Sequence, residues 1–168
     1  VTPNAGTGAS QTFALQYSDT AGAVDLGTAW AWINASFAAT SANSCLLQYN
    51  RATNTLFLMN DAGTAFLAGA LLGSAGTLQN SQCAITLGGS STAVVSGTTL
   101  TLNLAMTFTP GFGGAKNVYL YGANGTGQNS GWQSRGTWTV PGAVAPPVVT
   151  AVSATPNAGS GSAQTFAL

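Results

Sequence analysis

The two ends of this sequence are near copies of one another. Residues 1–15 read VTPNAGTGASQTFAL and residues 154–168 read ATPNAGSGSAQTFAL, so that eleven of fifteen aligned positions are identical. A repeat with a period of 153 residues is typical of a tandem array of structural units. We therefore expect one unit followed by the start of the next, within an interior piece of a larger or processed protein.

The composition indicates that copies of this chain pack against one another. At 168 residues, one domain with a substantial core is expected. Charged residues make up 4% of the chain, against roughly 25% in an ordinary soluble domain. A surface of small and amide side chains has little charge repulsion to keep copies apart, which suits a self-associating or carbohydrate-coated protein.

The charge pattern sets aside two classes of partner. Net charge is zero, and Arg51, Lys116 and Arg135 are the only strong bases, so we expect no nucleic-acid partner. The longest apolar stretches, such as residues 62–72, are shorter than the roughly 20 residues that a membrane helix needs. The sequence therefore predicts no membrane span.

Alternation of apolar and polar residues predicts an all-β protein. The alternation is clearest from Leu100 to Met106, where every second residue is apolar. No segment shows helical spacing over three turns. Predicted strands cover residues 10–17, 28–35, 45–49, 55–60, 82–87, 98–108, 117–123 and 136–140. Turn sequences rich in Asn, Asp and Gly separate them, which favours an antiparallel β-sandwich over residues 1–140.

Residues 141–153 are predicted to be a short connector. Pro146 and Pro147 favour extended polyproline geometry, which makes the connector semi-rigid. Residues 154–168 then begin the next repeat. Because an isolated strand cannot offset its ordering entropy, this segment must pack against the next repeat or a neighbouring subunit.

The two cysteines, Cys45 and Cys83, predict a disulfide. The chain has no His and no Glu, which removes most partners for a zinc or thiol-catalytic site. A disulfide implies a secreted protein. The alternative is two buried thiols that pack as small apolar residues.

Several short motifs resemble the immunoglobulin-like tandem repeats of large secreted bacterial surface proteins. They are YSDTAGAVDL at residues 17–26, NDAG at residues 60–63, Gly131-Trp132, and GTWTV at residues 136–140. The resemblance implies an extracellular immunoglobulin-like sandwich, used repeatedly in cell-surface or matrix proteins. It implies no catalytic activity and supplies no ligand.

The carboxylates are the candidates for a metal site. Asp19 and Asp25 are weak calcium candidates, because two carboxylates with backbone carbonyls and waters provide some of the six to eight oxygens that calcium takes. The same residues suit plain turns, and Asp61 in the NDAG turn has that role more clearly. We therefore expect no cofactor, with calcium kept as an alternative.

Catalysis is not expected, because the chain lacks His and Lys116 is the only lysine that could activate a nucleophilic hydroxyl. Lys116 beside Asn117 suggests either an isopeptide crosslink or a snorkelling strand-edge lysine. Asn34 and Asn124 match the N-glycosylation pattern. The alternative is that both asparagines are unmodified members of an uncharged polar surface. The Ser and Thr side chains of that surface are candidates for O-linked sugars.

Tryptophans are the remaining candidates for contact with a partner. Trp30 and Trp138 are predicted to lie in the core, because they alternate with polar or small residues within strands. Trp132 lies in a loop-like segment and is the candidate for partner contact. The alternative for all four tryptophans, Trp32 included, is an aromatic platform that stacks on sugars.

Two functions follow from this sequence. The first is a structural unit of an extracellular filament or stalk, joined head to tail by tandem covalent repeats or by strand donation between subunits. The alternative is an adhesin or carbohydrate-binding module displayed on a cell surface. A hydrolase would need catalytic residues outside residues 1–168.

Overall fold

The computed structural model describes residues 1–168 and confirms an all-β sandwich. Its strands are β1 (Ser10–Ser18), β2 (Leu26–Asn34), β3 (Cys45–Asn50), β4 (Thr55–Leu58), β5 (Ala70–Leu71), β6 (Thr77–Gln79), β7 (Cys83–Thr86), β8 (Thr92–Ser96), β9 (Thr99–Phe108), β10 (Gly114–Asn124) and β11 (Gln133–Val140). Short 3₁₀ turns span Ala23–Asp25 and Pro110–Phe112. None of its helices has the length and apolar character needed to cross a membrane.

The strands form two antiparallel sheets. In the five-stranded sheet the order is β1-β9-β7-β6, with β8 also paired to β9. In the six-stranded sheet the order is β11-β10-β2-β3-β4-β5. Strand β1 therefore forms an edge of one sheet, and β11 forms an edge of the other.

The core lies between the sheets and follows the predicted alternation. On β9 every second side chain from Leu100 to Phe108 is buried. These side chains lie beside Phe13 and Leu15 of the neighbouring strand β1 and pack against the opposite sheet. On β2 the inward positions are Ala29, Ala31 and Ile33. Small alanines at this point leave room for the large side chains of the other sheet.

Three strands are not among those predicted from the sequence. Strands β5 and β6 have only two and three residues, too short to establish a period. Strand β8 pairs with β9, but its residues are mostly exposed and show no inward alternation. The eight predicted strands are all present, with β10 and β11 beginning three residues earlier than expected.

The predicted disulfide is confirmed, and it ties the two sheets together. Cys45 begins β3 in the six-stranded sheet, and Cys83 begins β7 in the five-stranded sheet. Both residues are completely buried. The bond closes a loop with a sequence separation of 38 residues, so it restricts the unfolded chain.

We predict that the double variant Cys45→Ala, Cys83→Ala unfolds with a free energy about 4 kcal/mol lower than the wild type, as the entropy of closing a loop of this length implies. Urea titration followed by tryptophan fluorescence measures the difference. A reductant should destabilise the wild type and leave the variant unchanged. Equal stability of the oxidised wild type and the variant would contradict the prediction.

Candidate functional site

Residues 1–9 connect the edges of the two sheets. Thr2 and Ala14 exchange two backbone hydrogen bonds, of 2.9 and 2.8 Å, beside β1. The chain then runs parallel to β11, where Thr139 donates its N–H to the carbonyl of Gly6 and accepts the N–H of Gly8. The N-terminal residues thus close one side of the sandwich. We call residues 1–15 the opening segment, and the surface of β9 and β11 that it covers the slot.

Trp138 of β11 is the centre of the slot. Its indole Nε1 donates a hydrogen bond of 2.8 Å to the carbonyl of Gly8. Its ring packs edge-on against Phe13, with 5.2 Å between ring centroids. The side chain is 4% exposed, so the core position predicted for Trp138 is confirmed. One side chain therefore contacts both the loop part and the strand part of the opening segment.

The slot requires glycine at two points of close approach. A Cβ atom built on Gly6 would lie 2.4 Å from Cζ3 of Trp138. A Cβ atom built on Gly136 would lie 2.8 Å from the carbonyl oxygen of Asn4. Both distances are shorter than van der Waals contact allows, so a side chain at either position must push the segment away.

The second copy, residues 154–168, repeats the local structure of the opening segment. Thr155 and Ala167 exchange two backbone hydrogen bonds, of 3.0 and 2.9 Å, in the pattern of Thr2 and Ala14. Its apolar side chains are nevertheless exposed: Phe166 to 58% and Leu168 completely. Their counterparts in the opening segment, Phe13 and Leu15, are each 1% exposed.

The second copy keeps the groups that the slot contacts. Gly159 replaces Gly6, and no atom lies within 4 Å of the position that its Cβ would take. Ser160 replaces Thr7, whose hydroxyl donates to the carbonyl of Thr139, so the hydroxyl is retained. The other differences fall on residues 154, 162 and 163, whose counterparts in the opening segment are at least partly exposed.

Both calcium candidates hold the loop after β10, and calcium binding by Asp19 and Asp25 stays a prediction. Both carboxylate oxygens of Asp19 are engaged: one accepts the N–H of Ala21 at 2.9 Å, and the other accepts the side-chain amide of Asn124 at 3.0 Å. Asp25 holds the same loop through its backbone carbonyl, which accepts the N–H of Gly125. No three His, Cys, Asp or Glu residues lie close enough to hold a metal ion. The structure thus places Asp19 in a turn that holds the loop after β10.

The two glycosylation candidates have local structural contacts. The side-chain oxygen of Asn124 accepts hydrogen bonds from the hydroxyl of Thr126 and the N–H of Gln128, both at 2.9 Å. That of Asn34 accepts the N–H of Ala35 at 2.9 Å. Asn124 therefore organises a turn, and glycosylation of either residue stays a prediction.

Asp61 is also in a turn, where it connects two distant loops. The N–H and the hydroxyl of Ser81 donate to its two carboxylate oxygens, at 2.9 and 2.6 Å. These hydrogen bonds favour the ionised form and hold the pKa of the Asp61 carboxyl below its usual value. The residue therefore supports the fold around the Asn60–Gly63 turn.

Lys116 and Asn117 are directed to different partners. Lys116 is buried, donates from Nζ to the carbonyl of Gly113 at 2.9 Å, and lies 4.5 Å from the ring centroid of Phe112. Burial lowers the pKa of its ammonium group. The Asn117 side chain donates instead to the carbonyl of Ala35. Neighbouring strand residues face opposite sides, so this arrangement does not bring the two side chains together.

The outer surface of the six-stranded sheet carries a second, unexpected cluster, which we call the aromatic face. Its members are Trp30, Trp32, Phe37, Phe57, Phe66, Tyr119, Tyr121 and Trp132, linked by ring-to-ring distances of 5.2 to 6.4 Å. They are eight of the fifteen aromatic residues in the chain. Three loops are held against the sheet by these rings.

Trp30 was expected in the core, and this prediction is wrong. The inward positions of β2 belong to the small residues Ala29 and Ala31, so Trp30 faces outward and is partly exposed. Trp32 also faces outward but is buried, because the loop residue Phe37 covers it. The alternation of Ala29 and Ala31 with the tryptophans was the available signal, since a sandwich core has limited room on each strand.

Trp132 lies at the centre of the aromatic face. Its ring centroid is 5.5 Å from that of Tyr121 and 5.9 to 6.3 Å from those of Trp32, Phe37 and Trp30. Trp132 is partly exposed, and Phe37 is 54% exposed. The residue predicted to contact a partner therefore belongs to a surface that several other residues share.

Comparison with known proteins adds no relative. No protein-family model, curated protein or solved structure matches this chain. The resemblance to immunoglobulin-like repeats stays a prediction.

Proposed function

We propose that this chain is a structural unit of an extracellular filament or stalk, and that units join head to tail through the slot. One observation carries the proposal. The second copy has the sequence and local hydrogen bonds of the opening segment, but Phe166 and Leu168 are exposed where their counterparts are buried. A slot on another unit offers the partners that these side chains lack.

The free energy available from this contact is substantial. Burying a Phe or Leu side chain stabilises by about 1.5–3 kcal/mol each. The backbone of Asn4, Gly6 and Gly8 adds hydrogen bonds along β11, and their counterparts are unpaired there in the second copy. In a covalent array, the second copy fills the empty slot of the unit that it begins. In strand donation, it must compete with the opening segment of the neighbour.

The surface and the disulfide support an extracellular setting. Disulfides persist in oxidising compartments outside the cytosol, and the Cys45–Cys83 bond joins the two sheets. The 4% content of charged residues gives little repulsion between units. A head-to-tail contact that does not close into a ring extends into a filament.

The glycine pair Gly6 and Gly159 tests the proposal with matched variants. Gly6→Ala should lower the free energy of unfolding by about 1–3 kcal/mol, because the new methyl group overlaps Trp138. Gly159→Ala should leave that free energy unchanged, since its surroundings are open. On refolding at high protein concentration, the wild type should form dimers and longer species, whereas Gly159→Ala should remain monomeric.

Sedimentation velocity measures the association, and urea titration measures the stability. Wild-type chains that remain monomeric at every concentration would exclude strand donation. Native material heavier than 16.7 kDa on a reducing, denaturing gel, with peptides continuing past Leu168, supports the covalent array. Native material of a single repeat that also fails to associate would contradict both forms of the proposal.

The aromatic face favours a second candidate function, a carbohydrate-binding module. Exposed indole and phenol rings stack on the apolar faces of sugar rings, and Trp132 and Phe37 are the exposed centre of this surface. In this account, binding and assembly use different sides of the unit. The six-stranded sheet would bind the glycan, and the slot would join the units.

If the aromatic face binds sugars, Trp132→Ala should lose at least tenfold in affinity for neutral polysaccharides in affinity electrophoresis. Val94→Ala, an exposed position on β8 in the other sheet, is the matched control and should bind normally. Circular dichroism must show that both variants are folded. Absence of retention of the wild type by a broad panel of polysaccharides would argue against this function.

A further inference from the structure

The opening segment fills only part of the gap between the edge strands β1 and β11. The opening segment covers β11 from Gly136 to Thr139. Beyond it, a cleft of about 380 Å³ lies between the end of β1 and the strands β10 and β11. Its apolar wall includes Tyr17, Leu26 and Leu120. None of the contacts described so far involves this apolar wall.

We propose that the cleft receives the connector of a preceding copy of this chain. The inference rests on the proposed function, because it requires that a second copy occupies the slot. The head-to-tail contact alone gives residues 151–153 no partner. In the docked arrangement these residues pair with the unpaired edge of β1 in a defined register.

The register follows from the antiparallel pair Thr2 and Ala14. Continuing that pairing by one residue brings Val1 opposite Leu15, and the residue before Val1 comes opposite Gln16. In the second copy, Ala154 corresponds to Val1 and Ser153 precedes it. Ser153 should therefore lie opposite Gln16, Val152 opposite Tyr17, and Ala151 opposite Ser18. The last three of these β1 residues line the cleft.

The backbone of β1 is suited to this pairing. The N–H and C=O of Ala14 point away from β9 and bond to Thr2. Since this direction alternates with a period of two, the same groups of Gln16 and Ser18 face the free edge. On the partner side, residues 141–153 make no backbone hydrogen bonds. Pro146 and Pro147 lie outside the paired residues, so every paired position can donate.

The side chains also alternate in the required sense. Val1 packs against the core, so the residue two positions earlier in the chain faces inward as well. That residue is Val152, which is 92% exposed. Opposite Tyr17, it would enter the cleft beside Leu26 and Leu120. Ser153 and Ala151 would face solvent, as their small polar or weakly apolar side chains allow.

A docked connector would fix the angle between successive units. In the structure, residues 143–153 are all exposed and have no regular secondary structure. Once paired with β1 of the next unit, residues 151–153 become part of its five-stranded sheet. Only residues 141–150 then separate the two sandwiches, and the prolines restrict this stretch. The stalk should therefore be stiffer than a chain of units on free linkers.

Engineered disulfides between full-length chains test the register. We would refold Gln16→Cys chains together with Ser153→Cys chains at high concentration and oxidise mildly. The native cysteines are already paired, so the new thiols are the only free ones. A disulfide-linked heterodimer is expected, detected by mass spectrometry as the peptide pair that contains residues 16 and 153.

The matched control pairs Gln16→Cys with Val149→Cys, which is equally exposed. In the proposed register, residue 149 lies four positions further along, about 13 Å away, so this pair should cross-link at least tenfold less. Sedimentation velocity on the same mixtures reports association independently. Association with equal cross-linking at both positions, or with none, overturns the docked connector and leaves the head-to-tail unit intact. Absence of association in every mixture overturns strand donation and the docked connector between separate chains, and leaves the covalent array to be decided by the denaturing gel and the peptide map.

Discussion

The sandwich depends on the contact between Trp138 and the opening segment. The two sheets share a core and a disulfide, and their edge strands β1 and β11 are linked by the backbone hydrogen bonds of residues 1–9 and by the packing of Phe13 against Trp138. Trp138 donates to Gly8 and packs against Phe13, and Gly6 must lack a side chain for this approach. The proposed assembly through the slot therefore uses a contact that the fold itself needs.

The duplication provides a second segment with nearly the same contacting groups as the opening segment. In the proposed function, a unit that completes itself with residues 1–15 and carries residues 154–168 has one slot and two similar sequences that fit it. Which of them occupies the slot of a given unit depends on covalent continuity or on mass action, because their contacting groups are nearly the same. In the proposed assembly, the docked connector extends this contact along β1, and the slot and the cleft form one continuous surface for a preceding copy.

The sequence predicted the fold more fully than the site. Alternation located the long strands, and the cysteine pair was recognisable because the chain has no His or Glu. Strands β5, β6 and β8 carry too little inward alternation to be detected. Trp30 was assigned to the wrong side of β2, since alternation identifies two faces without saying which is buried. The role of Gly6 depends on a contact across 132 residues and has no local signal.

Peptide complementation tests the exchange of the two segments most directly. A fragment of residues 16–153 would be mixed with synthetic peptides of residues 1–15 or 154–168, and binding would be followed by tryptophan fluorescence. Both peptides should bind and restore the folded spectrum, with dissociation constants within about tenfold of each other, because the slot contacts groups that they share. Restoration by residues 1–15 alone would contradict the account.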